Sequence, residues 1–148
     1  ARITVALGGR AAEQVVYGLV TPGAENDLRQ VTQIAHQMVA RFGMSQRVGP
    51  LNFGEDDGAR PFGSPRPYSE TTAELIDSEV RAIVDGCFDQ ACGLLNEHRW
   101  RLEELTRALI AADSIDEQEI LRVVGMRRDA EGNIEITATS PPVRAATG

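Results

Sequence analysis

Lysine is absent from this 148-residue chain: its 15 cationic side chains are all arginine, set against 22 carboxylates, for a net charge of −7. That balance excludes sequence-independent binding of nucleic acid, which needs a cationic surface to displace counterions. Histidine is nearly as scarce, with only His36 and His98. Neither belongs to an H-E-x-x-H pair, because Glu97-His98 runs on into Arg99, Trp100 and Arg101. Each is expected to be an ordinary surface or half-buried polar residue. No Ser-His-Asp or Cys-His arrangement is readable, and no G-K-[ST] follows Gly8-Gly9 to make a phosphate loop. By itself the chain contains no complete active site. Cys87 and Cys92 are the only cysteines. Five residues of helix rise about 7.5 Å, too far for a disulfide, so both are expected as reduced, part-buried thiols of an intracellular protein. No apolar run of about 18 residues exists to span a bilayer, and no signal peptide is visible. The length suits one compact domain with a core. Residue 1 is not methionine, and the first helical pattern begins with no capping residue, which predicts a chain cut inside a larger domain.

What is present is mostly helical periodicity. Ile3, Leu7, Ala11 and Val15 predict a helix over about 2–17, stopped by Gly18. Gly8 and Gly9 inside it each cost about 1 kcal/mol against alanine, which predicts close packing of another backbone there. Leu28, Val31, Ile34, Ala35, Met38, Val39 and Phe42 predict a second helix over about 27–42, closed by Gly43. Residues 43–68, with five glycines, four prolines and Glu55-Asp56-Asp57, form a long irregular loop, with a short strand near Leu51–Phe53. Loops of that length are usually functional or mobile. The longest helix runs from about Ser69 to Glu97 on Ile76, Val80, Ile83, Cys87, Ala91 and Leu94. Trp100, Leu102, Leu105, Leu109 and Ile110 make another, either packed back antiparallel or continuing after a break. Asp116-x-x-Glu119 is a capping box for a short helix ending near Gly125. The remainder is a polar, mobile tail in which Asn133–Thr139 alternates enough for one weak strand. The expected fold class is all-α, a bundle-like domain over 1–125 with a long loop and a flexible tail over 126–148.

Asp27 has two readings. Asp27 and Gln30 are spaced as an N-cap and its capping-box partner, and Asn26 could cap as well. Alternatively Asp27 is a carboxylate metal ligand, placed where a helix N-terminus favours negative charge. Arg10 and Glu13 are likewise either a brace for a metal-bearing helix or an ordinary i,i+3 surface pair.

The surrounding motifs bear on that choice. Gly8-Gly9-Arg10-Ala11-Ala12-Glu13, Val16-Tyr17-Gly18, Gly23-Ala24-x-Asn26-Asp27-Leu28, Met38-Val39, Phe42-Gly43-Met44-Ser45 and Gly49-Pro50-Leu51 occur in order. Tyr68-Ser69-x-x-Thr72 and Ile76-Asp77-x-Glu79-Val80 follow. Together they resemble the proteolytic domain of FtsH-type AAA+ zinc metalloproteases over about residues 1–125. Any one alone is weak; their order and spacing carry the resemblance.

The resemblance implies an ATP-dependent, membrane-associated zinc endopeptidase that degrades unfolded or misassembled proteins on the cytoplasmic side of the cell membrane. In that family two histidines of an H-E-x-x-H helix and a downstream aspartate bind zinc, and the glutamate acts as general base. The aspartate falls on Asp27. The H-E-x-x-H helix, the ATPase module that uses ATP and the membrane anchors would lie upstream of residue 1, and the intact protein would be a homo-hexamer acting on protein substrates. The fragment alone is expected to be inactive. Three departures mark a divergent member: Thr21-Pro22 in place of two hydroxyl residues, Glu25 in place of a small residue, and His36 in place of arginine. The rival reading is a non-catalytic helical interaction or assembly domain.

Overall fold

A computed structural model describes residues 1–19, 21–53 and 68–141. Its described residues form helices α1 (Arg2–Ala6), α2 (Gly8–Tyr17), α3 (Glu25–Ala40), α4 (Glu70–Glu97), α5 (Arg99–Ala112) and α6 (Glu117–Val123), with strands β1 (Met126–Arg128) and β2 (Ile134–Ile136). A 3₁₀ turn, Pro22–Ala24, leads directly into α3. The expected all-α class holds except for the two-stranded antiparallel sheet. Two compact units divide the chain at Leu94 and Leu95.

The first unit is built around α3. Its side chains at Val31, Ala35, Val39 and Ala40 are buried, spaced in steps of four and one that keep them on one side of a 3.6-residue helix. Ile3 and Leu7 pack against Val31 and Ala35, with Val80, Ile83, Val84, Cys87 and Phe88 of α4 closing that cluster. Further along α3, Val39 and Ala40 meet Val48 and Ile76. Removing Ile76, at 1 % exposure, from water stabilises the unit by about 1.5–3 kcal/mol. The Ser69 hydroxyl accepts the Thr72 N–H at 3.3 Å, so Ser69 opens α4 as its composition suggests. Cys87 and Cys92 both lie on α4 as half-buried free thiols.

Several local expectations are corrected. The first helix is interrupted at Leu7, which divides α1 from α2. Gly8 and Gly9 have no described atom within 4 Å of where a Cβ would stand, so no backbone within the described residues needs their smallness. Helix α3 ends at Ala40, and Phe42, assigned above to its apolar stripe, is 65 % exposed. No strand forms at 51–53; Phe53 instead donates its N–H to the Ala40 carbonyl at 2.6 Å. The rest of the long loop, 54–67, lies outside the described residues. Gly43 closes α3 with φ +59° and lies so near Pro50 that a Cβ would stand 2.8 Å from the Pro50 Cα.

In the second unit α5 follows His98, the single residue between it and the end of α4. Arg101, not the apolar Ile110, is the buried residue of α5; Ile110 is 79 % exposed. The Arg101 Nη2 donates to the Ala138 carbonyl at 3.1 Å, which ties α5 to the segment after β2. The capping box is half made. Asp116 accepts the Glu119 N–H at 2.8 Å, but the Glu119 carboxylate turns to the Arg122 guanidinium at 2.8 Å rather than back to the cap. The one weak strand expected after Arg127 is part of a hairpin. Ile134–Ile136 is a strand, and its partner is Met126–Arg128, with Arg127 opposite Glu135. A charged pair across the strands, Arg127 Nη2 to Glu135 at 2.7 Å, adds to that pairing. Residues 142–148 of the expected tail lie outside the described residues.

Candidate metal ligand on helix α3

The path into α3 is determined by a contact that crosses from α2. Pro22 occupies the first position of the 3₁₀ turn, where its locked φ suits a helical start and its missing N–H loses nothing. Thr21, extended, precedes it, and its hydroxyl accepts the Gly23 N–H at 3.4 Å. The Thr21 hydroxyl in turn donates to Glu13 Oε1 at 2.6 Å, while the Thr21 N–H reaches Glu13 Oε2 at 3.3 Å. Both oxygens of one carboxylate therefore hold one residue of the turn. The Thr21 hydroxyl, then its N–H, lowers the Glu13 pKa below the usual glutamate range, with partial desolvation opposing and Arg10 adding a small attraction. Among the described residues Arg10 and Glu13 form no direct i,i+3 pair: the hydrogen-bond partner of Glu13 is Thr21, and Arg10 acts on it only at a distance.

Asp27 is the third residue of α3, not its N-cap. Ala24 takes the cap position and makes no side-chain cap hydrogen bond, so the Asp27–Gln30 box does not form and Asn26 does not cap. The physical reason is the 3₁₀ turn, whose Pro22 carbonyl accepts the Glu25 N–H and starts the helical path two residues before Asp27. Asp27 is exposed on that first turn, and among the described residues its carboxylate makes no hydrogen bond or ion pair. Glu25, two residues away, is drawn off by Arg29 at 2.9 Å, so the additional negative charge noted in the sequence is paired.

The far end of α3 is held in a similar way. Ser45, buried, donates its hydroxyl to Glu79 Oε2 at 2.6 Å and accepts the N–H groups of Arg47 and Val48, each at 3.2 Å. Arg47 Nη1 reaches the other Glu79 oxygen at 2.9 Å. The Ser45 hydroxyl above all, with Arg47 assisting against partial desolvation, lowers the Glu79 pKa. Ser45 and Glu79, which stand in separate motifs of the sequence, are thus brought together. Thr21 and Arg47 are the residues that sequence reasoning missed. Thr21 stood in plain view beside Pro22, but nothing in its spacing points back across eight positions to Glu13.

As a metal ligand Asp27 fits one place and no more. It is a hard oxygen donor, accessible and unspent, of the kind zinc accepts. His36 lies nine residues further along the same helix, about 13.5 Å away along the axis and on the opposite side. Among the described residues no three His, Cys, Asp or Glu side chains come together as a metal site. His98 is half-buried in the other unit. A groove of about 610 Å³ between α5 and α6 is lined by Glu104, Arg107, Asp116, Glu119 and Arg122 among others and holds none of residues 1–94. No described helix is long and apolar enough to cross a membrane.

Comparison with known proteins places this geometry in context. Residues 1–123 match Peptidase family M41. The ATP-dependent zinc metalloprotease FtsH of Thermobaculum terrenum is 53 % identical over 130 residues, which are 84 % of this chain and 20 % of that protein. The protein of the same name from Syntrophus aciditrophicus is 46 % identical over 131 residues, covering 85 % of this chain and 18 % of its own length. ATP-dependent zinc metalloprotease FtsH 3 of Conexibacter woesei is 40 % identical over 144 residues, 97 % of this chain and 19 % of its own. The chain therefore spans about a fifth of the length of these curated relatives.

Proposed function

The chain belongs to peptidase family M41, and from that premise we propose that it is the C-terminal portion of the peptidase domain of an ATP-dependent zinc endopeptidase, with Asp27 as one of three protein ligands to zinc. The observation that carries the reading is the unpartnered, accessible Asp27 carboxylate on the first turn of α3, within the matched residues. Two histidines and the general base come, in this proposal, from an H-E-x-x-H helix elsewhere in the longer protein. Zinc bound by two histidines and a carboxylate keeps one position open, where it activates water and polarises the scissile carbonyl.

This chain's own share is the anionic oxygen donor. Its position on the first turn of α3 places the carboxylate where the exposed N–H groups favour negative charge. The proposed substrates are unfolded or misassembled proteins. ATP is used at a module outside these residues, and the whole protein assembles as a hexamer on the cytoplasmic side of the membrane. The reading as a non-catalytic interaction domain has no observation in its favour.

The test compares the intact protein with its Asp27→Asn variant. Zinc content after dialysis and degradation of an unfolded protein are both expected to be lost. Retention of stoichiometric zinc by the variant refutes the ligand assignment. Stoichiometric tight zinc binding by residues 1–148 alone refutes the claim that the site is incomplete here.

A further inference from the structure

The hairpin of β1 and β2 lies past residue 123, where the family match ends. At its two ends the Asp129 N–H donates to the Asn133 carbonyl at 2.9 Å and the Thr137 N–H to the Gly125 carbonyl at 2.8 Å. Bonded pairs alternate along an antiparallel ladder, so the bonded pair between these two is Arg127 with Glu135. Ile134 and Ile136, opposite Arg128 and Met126, take the non-bonded positions, and their N–H and C=O groups point away from β1. Among the described residues no other strand takes up those groups. Both side chains share one face of the strand and are exposed, Ile134 at 50 % and Ile136 at 61 %. An open edge flanked by β-branched apolar side chains is a template for a further strand. The edge is bounded on both sides. Past Ile136 the Ala138 N–H turns inward to Gly125 at 3.1 Å, and before Ile134 the Gly132 carbonyl accepts from the Arg128 guanidinium.

We propose that β2 is a self-association edge, which pairs antiparallel with β2 of a second copy of this chain about a twofold axis at Glu135. The proposal is independent of the zinc assignment. With outward groups only at Ile134 and Ile136, one antiparallel register uses them all: Ile134 of each copy bonds with Ile136 of the other, and two hairpins become one four-stranded sheet. The isoleucines of both copies then meet on one face. On the other face Glu135 stands opposite Glu135 of the second copy, where like charges alone would be unfavourable. Each of these carboxylates is already held by its own Arg127 at 2.7 Å. The row across the sheet therefore reads Arg127, Glu135, Glu135, Arg127 and is neutral. That self-match in register and charge favours a second copy over an unrelated extended peptide. Strands of three residues bury far less than the roughly 1,200–2,000 Å² of a stable interface. The pairing is therefore weak and reversible between single chains, and gains strength where other contacts hold copies together.

The experiment reads both the contact and its register in the chain of residues 1–148. Amide exchange followed by nuclear magnetic resonance is expected to slow at Ile134 and Ile136 as the chain is concentrated towards about 1 mM, while Glu135, already bonded to β1, stays constant. Ile134→Lys places a charge on the edge and is expected to weaken the association roughly tenfold, read as lost slowing at Ile136. For the register, Glu135→Cys and Arg127→Cys are each made together with Cys87→Ser and Cys92→Ser. Opposed residues at a non-bonded position lie about 4.5 Å apart at Cα, within reach of a disulfide. Position 127 lies three strand spacings, about 14 Å, from its copy. Under mild oxidation Glu135→Cys is expected to form linked dimers at least about tenfold faster than Arg127→Cys. Equal rates at the two positions overturn the proposal. So does exchange at Ile134 and Ile136 that does not change with concentration. Slowing that appears only when an unfolded polypeptide is added makes an extended peptide the occupant and likewise overturns the second copy. Should Glu135→Cys disrupt the hairpin, the exchange measurement on the unaltered chain decides alone.

Discussion

Two glycines in the turn after α3 separate backbone strain from steric overlap. Gly43 and Gly49 both have positive φ, +59° and +84°. A Cβ at Gly49 meets nothing within 4 Å, whereas at Gly43 it stands 2.8 Å from Pro50 Cα, 3.2 Å from Pro50 C and 3.3 Å from the Gly49 carbonyl oxygen. All three neighbours of Gly43 are backbone atoms, which cannot rotate aside. An L-residue in the left-handed region costs about 1–2 kcal/mol, and Gly49→Ala is expected to lose that much. Gly43→Ala incurs the same strain plus overlap, typically about 1–3 kcal/mol, for a total of roughly 2–5 kcal/mol. With a urea m-value of about 2 kcal/mol/M, the midpoint falls by about 0.5–1 M for Gly49→Ala and about 1–2.5 M for Gly43→Ala. Urea titration followed by far-ultraviolet circular dichroism measures both, with the slope checked for constancy. Equal losses at the two positions, or a loss below about 1 kcal/mol at Gly43, refute the argument that the Pro50 backbone needs a bare Cα at Gly43.

Three further outcomes follow from burial and charge. Leu7, at 1 % exposure, and Val5, at 80 %, are near neighbours; Leu7→Ala is expected to lose about 2–5 kcal/mol and Val5→Ala at most about 0.5 kcal/mol in urea unfolding. Glu79 has a lowered folded pKa, so its contribution to stability is present above the unfolded glutamate value of about 4.3 and is lost as pH falls through the folded value. The urea midpoint should therefore fall more steeply below about pH 4.3 in the parent than in Glu79→Gln, and identical acid limbs would contradict this. Arg101 is buried with its Nε unpaired, against one charged hydrogen bond to Ala138. These oppose each other at about 1–3 kcal/mol each, so Arg101→Met is expected to change stability by less than about 1.5 kcal/mol while speeding amide exchange in the hairpin. A loss above about 3 kcal/mol would show that the guanidinium is fully compensated.

The departures from sequence-based expectation share one cause. The period of Ile76, Val80, Ile83 and Cys87 placed α4 to within a residue at its start, and Ser69 marked that start, because both signals act within one or two turns. The Asp116 cap was legible for the same reason, although its reciprocal half was not, since Arg122 competes for Glu119. The start of α3 escaped the same logic. Asp27 and Gln30 have the spacing of a capping box, yet the helix opens at Glu25.

The sequence by itself determined the helical periodicities, the deficits in lysine and histidine, and the ordered motifs that run through the matched residues 1–123. These are local or compositional properties, and helix-forming contacts three and four residues apart are enough to express them. Only the tertiary structure decided how α3 is held. Glu13 meets Thr21 from another helix, and Ser45 meets Glu79 across 34 positions. Such pairs depend on how helices pack, because one carboxylate satisfies a distant hydroxyl only once burial has brought the two elements together. That is why Asp27, as a residue in a spacing pattern, resembled a cap, and in the folded chain stands free on the first turn of a helix held by its neighbours.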